Sequence, residues 1–443
     1  MTKDLFTDDF KPAPYWWDAV PRPTLPASEL PEKAEIVVVG SGFTGLMAAL
    51  ETQRGGRETV VLEAEEAGFG CSTRNGGQIS TSVKPGLEKL ARRFGTERAL
   101  AIREEGKNSL QWIGAFVARE GIECDFRIAG RFHGAHRPAE YEPLGQWLNG
   151  EVRRLGIEAH MVPRSEQRCE LGTDAYCGGI VFTEHAAVNP ARLHQGMLER
   201  AIAAGVQVIP RTRATGIRPA NGRLTVETVN GAIEASDVVV ATNGYTGALL
   251  PWLQRRVIPI GSYIIATETI DPKTMARLMP RDRIVSDTRK IVYYFRASPD
   301  RRRILFGGRV SANETDPRAS APRLRAEMVR LFPELAATRI SHSWSGFVAY
   351  TFDELMHLGR HRGIHYALGY CGSGAAMAGY LGMRIGQQVL GEREGRTAFD
   401  GLGFVTRPFY RGRPWFLGPM VRYYQWHDRA GKRSQSVLDR GSA

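Results

Sequence analysis

"EIVVVGSGFTGLMAALETQ", residues 35–53, begins with a short β-branched run that is typical of a buried strand and that stops at a glycine. The letters "GSGFTG" then place Gly40, Gly42 and Gly45 in the G-x-G-x-x-G spacing, and "LMAALETQ" is typical of a helix. Strand, glycine loop and helix in this order predict a Rossmann-type nucleotide-binding unit.

Each glycine of this loop has its own role in such a unit. Gly40 makes the tight turn, Gly42 lets backbone N–H groups approach a pyrophosphate, and Gly45 lets the helix pack closely on the strand. A second buried strand, "ETVVLE", ends at Glu63, which follows Gly45 by 18 residues. An acid about 20 residues on binds ribose hydroxyls and repels a 2′-phosphate. The sequence therefore predicts a cofactor with an ADP half, and disfavours NADP.

A second glycine-rich loop, "GFGCSTRNGGQ" (68–78), begins five residues after Glu63, where a simple NAD domain would continue into a helical crossover. Ser72 and Asn75 are short donors, and Gly76 and Gly77 allow close approach. This loop resembles the "G-x-G-A-S-G-R-N-G-G" signature of the D-amino-acid-oxidase-like (DAO) FAD oxidoreductases, and most resembles the branch that contains γ-glutamylputrescine oxidase. The resemblance implies FAD as cofactor, with the loop beneath its pyrophosphate and isoalloxazine.

The resemblance extends over nearly the whole chain. It covers "YWWDAVPRPTLP" (15–26), "VVVATNGYTG" (238–247), "YYFRASPDRRRILFGGR" (293–309), "WSGFVAYTFDELMHLGR" (344–360) and "HYALGYCGSGAAMAG" (365–379). The chain departs from the family pattern at Met356, where proline is usual, at Cys371, where serine is usual, and at Ser373, where histidine is usual.

The last of these segments imitates a second nucleotide fingerprint, because Gly372 and Gly374 are spaced G-x-G. Met377 stands where the third glycine would be, and no second strand carries an acid. No NAD(P)H partner is therefore expected. The segment predicts instead a strand and a helix whose N-terminal N–H groups face the flavin pyrimidine; close packing alone is the alternative.

The resemblance implies an α/β FAD-binding domain of the Rossmann type, glutathione-reductase-like, and an α+β substrate domain built on an antiparallel sheet. We expect a discontinuous FAD domain at 34–90, 155–250 and 353–395, a substrate cap at 91–154 and 251–352, and a basic C-terminal tail at 396–443. "TVETV", "SYIIATET" and "RILFGGR" favour strands, whereas "GLEKLARRFG" and "PRLRAEMVRLFPEL" favour amphipathic helices. An Asn-Gly turn at 230–231 predicts a hairpin.

The matched positions give a set of expected FAD-binding residues. They are Gly40, Gly42, Phe43, Thr44, Gly45, Glu63, Ala64, Gly70, Cys71, Ser72, Arg74, Asn75, Gly76, Gly77, Gln78, Ala214, Thr242, Gly244, Gly372, Ser373, Gly374, Ala375 and Ala376.

The expected reaction is oxidation of a primary or secondary amine to an imine, which water hydrolyses to an aldehyde or ketone. Such chemistry needs a neutral amine with its C–H directed at the flavin, so the protein mainly supplies an orienting cage. Tyr294 and Trp344 are candidates to orient the amine and Arg296 to hold a substrate carboxylate. The remaining candidates are Tyr293, Tyr350 and His357; a structural sheet position is the alternative for each tyrosine, and a structural role is favoured for His357.

Oxygen, giving H2O2, is the expected electron acceptor. Oxidases of the wider superfamily place a lysine near the flavin, but this chain has no lysine between Lys290 and Lys432. A dehydrogenase that passes electrons to a quinone or carrier therefore stays open, as does a flavoprotein without turnover.

The composition argues against several other classes of protein. The five cysteines form no C-x-x-C pair, so neither a metal site nor a disulfide framework is expected. The net charge is +12, but residues 401–443 hold eight basic residues against two acidic ones, and no nucleic-acid motif is present. With no signal peptide and no membrane-length apolar run, we expect a cytoplasmic protein. "PWFLGPMVRYYQW" is typical of an amphipathic helix, docked on its own protein or, less expected, on an anionic membrane.

Overall fold

A computed structural model describes residues 5–26, 28–220, 222–309 and 315–430, apart from the side chains of 429 and 430. The strands, in chain order, are β1 (Phe6–Lys11), β2 (Lys33–Val39), β3 (Thr59–Leu62), β4 (Gln78–Ile79), β5 (Arg127–Ile128), β6 (Arg131–Gly134), β7 (Ala159–Val162), β8 (Gly179–Phe182), β9 (Ala186–Ala187), β10 (Gln207–Ile209), β11 (Ala214–Ala220), β12 (Arg223–Thr228), β13 (Gly231–Val240), β14 (Ile258–Thr267), β15 (Ile284–Asp287), β16 (Tyr294–Ala297), β17 (Ile304–Gly308), β18 (Ile340–Tyr350), β19 (His357–His361) and β20 (Ile364–Leu368). The helices are α1 (Trp16–Ala19), α2 (Phe43–Arg54), α3 (Leu87–Phe94), α4 (Thr96–Glu120), α5 (Tyr141–Trp147), α6 (Pro190–Ala203), α7 (Pro251–Gln254), α8 (Pro272–Leu278), α9 (Pro317–Leu331), α10 (Gly374–Leu390) and α11 (Leu417–Ala430).

One sheet carries the nucleotide fingerprint. Its parallel strands follow the order β10, β3, β2, β13 and β20, with β19 antiparallel to β20. The strand, loop, helix and strand expected from the sequence are β2, α2 and β3, and the Asn-Gly turn joins β12 to β13, where Thr228 pairs with Gly231. Helices α2, α4, α6 and α10 bury one face of this sheet. This is a Rossmann-type layer.

The second large sheet has nine strands in the order β1, β18, β14, β17, β16, β15, β6, β8 and β7. Neighbours are antiparallel except β1 with β18 and β6 with β15. Helices α8 and α9 cover one face through Met275, Leu324 and Met328. The other face, which carries Tyr294 and Trp344, is turned to the nucleotide-binding sheet. The expected fold class, a Rossmann-type domain with an antiparallel-sheet substrate domain, is confirmed.

The sheets divide the chain at other points than the expected domain limits. Strands β7 and β8 lie within 155–250 but pair with each other and with β6 in the nine-stranded sheet. Helix α4 lies within 91–154, yet its Ile102, Ile113 and Phe116 join the core around α2 and α10. We propose to assign β6–β8 to the substrate domain and α4 to the FAD domain, because each element buries its apolar side chains there.

The contact between α2 and α10 fixes the relative position of these two helices. At Gly382 of α10, an added Cβ would lie 2.4 Å from the carbonyl oxygen of Thr44 and 2.8 Å from its Cα. Backbone therefore packs on backbone, which only glycine permits here.

We expect Gly382→Ala to destabilise the protein by about 1–3 kcal/mol, because an overpacked interface must move apart. The matched control is Gly145→Ala in α5, where an added Cβ meets nothing within 4 Å. That change should be neutral or stabilising by up to about 1 kcal/mol, since alanine favours helix. Thermal unfolding followed by flavin fluorescence measures both, and equal midpoints for the two variants would contradict the packing argument.

Candidate active site

A cavity of about 1520 Å³ lies between the carboxyl ends of β2, β3 and β13 and the inner face of the nine-stranded sheet. Val39, Leu62 and Ala241 mark those strand ends on its wall. Sites for one small ligand usually have about 300–1,000 Å³. The cavity therefore has room for an extended dinucleotide and a second molecule.

The first glycine loop directs the N-terminus of α2 into this cavity. Gly42 is the N-cap and provides no side-chain acceptor, while the N–H of Phe43 donates to Ser72 Oγ at 2.9 Å. An added Cβ at Gly45 would lie 1.8 Å from the carbonyl oxygen of Gly40, so helix and loop are in direct contact. An uncapped helix N-terminus of this kind binds phosphate.

Glu63 is held in place by the same loop. Its Oε2 accepts from the N–H and the hydroxyl of Ser41, at 3.0 and 2.6 Å, and its Oε1 accepts from the N–H of Glu65 at 3.1 Å. Ser41 Oγ also accepts from the N–H of Gly68 in the second loop, at 3.1 Å. A carboxylate has about four acceptor sites. Glu63 therefore keeps capacity for a ribose hydroxyl while it joins both loops.

The second loop is shaped by Asn75. Its Nδ2 donates to the carbonyl oxygens of Cys71 and Ser72, and its Oδ1 accepts from the N–H of Gly77 at 2.9 Å. The interpretation of Asn75 as a donor to the cofactor is wrong, because its polar atoms are used within the loop. Ser72 accepts from α2 and keeps its own hydroxyl hydrogen for a phosphate.

A second helix points its N-terminus at the cavity. Strand β20 ends at Leu368, Cys371 has a φ of 51°, and α10 begins at Gly374 with an N-cap, Ser373, whose side chain makes no capping bond. Two uncapped helix ends, a carboxylate at the expected ribose position and a long cavity fit FAD.

Most of the expected FAD-binding residues line this cavity. They are Gly40, Gly42, Phe43, Thr44, Glu63, Ala64, Gly70, Cys71, Ser72, Arg74, Asn75, Gly76, Gln78, Ala214, Thr242, Gly372, Ser373, Gly374 and Ala375.

Four expected residues do not reach the cavity wall. An added Cβ at Gly77 would lie 2.1 Å from the carbonyl oxygen of Val188, and at Gly244 it would lie 2.8 Å from that of Phe347. Gly45 packs on Gly40, as described above, and Ala376 is buried one residue beyond the wall. At these four positions the structure shows close packing against other parts of the chain.

We call the part of the cavity that adjoins the nine-stranded sheet the substrate half. Two of the expected catalytic residues line it. The hydroxyl of Tyr294 lies 2.8 Å from Ser262 Oγ, and burial raises the pKa of Tyr294, so that this hydroxyl stays protonated at neutral pH. Tyr350 lies at the same wall, with Lys84 Nζ 5.9 Å from its ring centre. Both tyrosines are therefore available to a substrate.

The expectation that Arg296 holds a substrate carboxylate is wrong. The residue is 1% exposed, and its Nη1 donates to the carbonyl oxygens of Gly77 and Val188, both at 2.9 Å. Its Nε donates to the carbonyl oxygen of Ala297. Arg296 therefore ties the substrate sheet to the second glycine loop.

The other three expected catalytic residues also lie off the cavity wall. Trp344 is fully buried and donates from Nε1 to the carbonyl oxygen of Arg74 at 2.8 Å. Tyr293 packs against Phe306, with ring centres 5.5 Å apart.

His357 is also structural. Its Nε2 lies 3.1 Å from Asp353 Oδ1, and its ring stacks on Phe404 with centres 3.8 Å apart. These contacts fit the structural alternative for Tyr293 and His357, whereas the expectation that Trp344 orients the amine does not fit its burial.

The sequence analysis missed polar residues that the fold brings to the substrate half. Ser80, Ser82 and Lys84 line the cavity together with Gln78, which was expected among the FAD-binding residues, whereas the residues between them are buried. In "QISTSVK" every second letter is polar, and Ile79 and Val83 between them are apolar. This is the period of an extended chain with one face on the cavity, and the sequence alone could have indicated it. Arg131 and His133 alternate in the same way on β6.

Helix α11 closes one side of the cavity. Leu417 and Val421 are buried, Met420 and Tyr424 also line the wall, and the carboxylate of Asp428 accepts from the backbone N–H groups of 290 and 291. The docked alternative is therefore confirmed for this helix; residues 431–443 of the expected tail lie outside the described residues. Among the described helices, none has both the length and the apolar character needed to cross a bilayer.

These features together define a flavin-dinucleotide oxidoreductase with a substrate site beneath an antiparallel sheet. Residues 35–388 match the family model of FAD dependent oxidoreductases, DAO, and the chain belongs to this family. Its cofactor is FAD.

Two curated relatives align along nearly their whole length. The chain is 30% identical to the probable oxidoreductase OrdL of Rhizobium meliloti (strain 1021), over 94% of this chain and 97% of that one. It is 28% identical to gamma-glutamylputrescine oxidoreductase of Escherichia coli (strain K12), over 90% and 93%.

Solved structures show the same fold at lower identity. Glycine oxidase from Geobacillus kaustophilus superposes with a TM-score of 0.70 at 19% identity, covering 85% of this chain and 99% of that one. L-Proline dehydrogenase from P. horikoshii gives 0.68 at 19% identity, covering 88% and 99%.

We expect Glu63→Gln to weaken FAD binding about tenfold or more, because a hydrogen bond to a charged acceptor contributes about 1.5–3 kcal/mol. Titration of the apoprotein with FAD measures the dissociation constant. Glu66→Gln is the matched control, since Glu66 pairs with Arg211 and does not line the cavity. Equal FAD affinities for the two variants would exclude Glu63 as a ribose ligand.

Proposed function

We propose that the protein oxidises a primary or secondary amine at the carbon beside nitrogen, giving an imine that water hydrolyses to an aldehyde or ketone. The amine is of the γ-glutamylputrescine or amino-acid type. The observation that carries this proposal is the charge of the substrate half of the cavity.

Cations dominate that half. The two carboxylates on its wall are ion-paired, Asp287 with Arg289 and Glu354 with Lys89. Lys84 and Arg131 have no ion-pair partner among the described residues. A cationic lining disfavours an ammonium ion and favours the neutral amine, which is the form that loses hydride readily. The relative in Escherichia coli, named for gamma-glutamylputrescine, supports the same reaction class.

Bound FAD supplies the hydride acceptor. The residues of the chain then have orienting roles. The hydroxyl of Tyr294, held by Ser262 and protonated, donates to or accepts from the substrate nitrogen. The ring of Tyr350 limits the space at the same wall. Helix α11 restricts access of water on the side where Met420 and Tyr424 line the cavity.

Oxygen is the proposed electron acceptor, with H2O2 as product. The sequence has no lysine between Lys290 and Lys432, and we assign the role of that lysine to Lys84, from the extended segment after the second glycine loop. A positive charge there would stabilise the anion formed as oxygen takes up an electron. A dehydrogenase that passes electrons to a quinone or carrier is the second candidate.

The amine assignment is tested by anaerobic mixing of the holoprotein with a panel of amines and 2-hydroxy acids. We expect amines to bleach the flavin absorbance and the rate to rise with pH, because the fraction of neutral amine rises. Bleaching by 2-hydroxy acids alone would overturn the reaction class. No bleaching by any amine would favour a flavoprotein without turnover.

Lys84→Met should slow reoxidation of the reduced flavin by oxygen about tenfold or more and change anaerobic reduction much less, because Arg131 still keeps the substrate half cationic while the charge that assists oxygen is lost. Stopped-flow absorbance separates the two steps. Lys273→Met, an exposed position on α8, is the control. An unchanged reoxidation rate in both variants would favour the dehydrogenase.

A further inference from the structure

A cluster of polar side chains on β6 and β15 lies at the edge of the substrate half. Arg131 donates from Nε to Ser286 Oγ at 2.7 Å and from Nη1 to Ser82 Oγ at 3.4 Å. His133 Nδ1 lies 2.8 Å from the same Ser286 oxygen. Arg131, His133, Ser286 and Ser82 all line the cavity. Hydroxyl groups thus orient the guanidinium, but none of them neutralises it.

The charge of Arg131 is uncompensated. Among the described residues it has no carboxylate partner, and burial lowers its pKa only to about 10, so it stays protonated at neutral pH. Burial and the charge of Arg131 hold the pKa of His133 well below its usual value, so the imidazole is neutral. Arg289, on the same wall, is already paired with Asp287. A partly buried cation without a counter-ion is costly, and a ligand anion removes that cost.

We propose that Arg131, oriented by Ser286, binds a carboxylate at the far end of the substrate, so that the substrates are amines that also carry a carboxylate. This inference rests on the proposed function and assigns the role that Arg296 does not fill. A guanidinium has five N–H donors, of which the two serines take three, and the remaining donors suit a carboxylate.

The sheet sets the length of such a substrate. Tyr294 stands over the second glycine loop, with its ring 3.0 Å from an added Cβ at Gly76. It lies on β16, and Arg131 lies two strands away on β6, with β15 between them. Neighbouring strands are about 4.8 Å apart, and the register offsets the two residues by two positions, because Tyr294 pairs with Ser286 whereas Arg131 pairs with Ile284. Their Cα atoms are therefore roughly 12 Å apart. The amine and the carboxylate are therefore separated by several carbons, as in an ω-amino acid.

Two probes that lack an amino group, butyrate and butyramide, test the anion site without turnover. Butyrate and butyramide have the same shape, and only butyrate is charged. By isothermal titration calorimetry of the holoprotein, we expect butyrate to bind at least about tenfold more tightly than butyramide, as is typical of a charge-assisted bond. Arg131→Met should remove this preference and Arg131→Lys should retain part of it. Arg277→Met, whose side chain pairs with Glu334 on the surface, should leave the preference unchanged.

Equal binding of the two probes by the natural protein would overturn the inference, and this result does not depend on the folding of any variant. A preference for butyrate that survives in Arg131→Met would place the anion elsewhere and also overturn it. The anaerobic rates with 5-aminopentanoate and 2-aminopentanoate then test the length, with the first expected to be faster.

The experiments can disprove the amine oxidation and the Arg131 site independently of each other. If amines reduce the flavin but butyrate has no advantage, the reaction class stands and the Arg131 site is wrong. If butyrate binds through Arg131 but no amine reduces the flavin, the anion site stands and the amine assignment is wrong.

Discussion

The direct contact between the two glycine loops is the constraint on which the cofactor site depends. Within the first loop, Gly45 packs on the carbonyl of Gly40 at a distance that excludes any side chain, and the N–H of Phe43 donates across to Ser72 of the second loop. Ser41 then bonds at once to Glu63 and to the N–H of Gly68. Because Glu63 and both glycine loops share these few atoms, displacement of one displaces the others. The site is therefore largely pre-formed, which lowers the ordering cost of binding a long cofactor.

The same close approach of backbones brings two helix N-termini to one cavity. Helices α2 and α10 touch through Gly382, and both begin without a side-chain cap. Their partial positive charges act on different parts of the ligand: α2 on phosphate, and α10, as the family resemblance implies, on the flavin ring. Tyr370, whose hydroxyl lies 2.6 Å from Thr44 Oγ1, joins the two helix starts.

Two arginines of the nine-stranded sheet show how surroundings decide function. Arg296 is buried away from the cavity and donates from Nε and Nη1 to the carbonyl oxygens of Gly77, Val188 and Ala297, so it serves as a structural tie. Arg131 meets only hydroxyl groups and faces the cavity. The residue type is the same, but only the arginine that lines the cavity and keeps free N–H donors beside its hydroxyl partners is available to a ligand.

The sequence alone determined the Rossmann-type unit and the second glycine loop, because these are short segments whose geometry glycine spacing and strand periodicity encode locally. Through the family resemblance it also implied FAD and most of the expected cofactor residues that line the cavity. It also indicated Tyr294 and Tyr350. Only the tertiary structure decided that Arg296, Trp344 and His357 are structural, and that Lys84, Arg131 and Ser286 meet at the substrate wall. Those roles depend on which carbonyl, carboxylate or cavity each side chain meets, and such partners lie far apart in the chain. Local pattern cannot encode them.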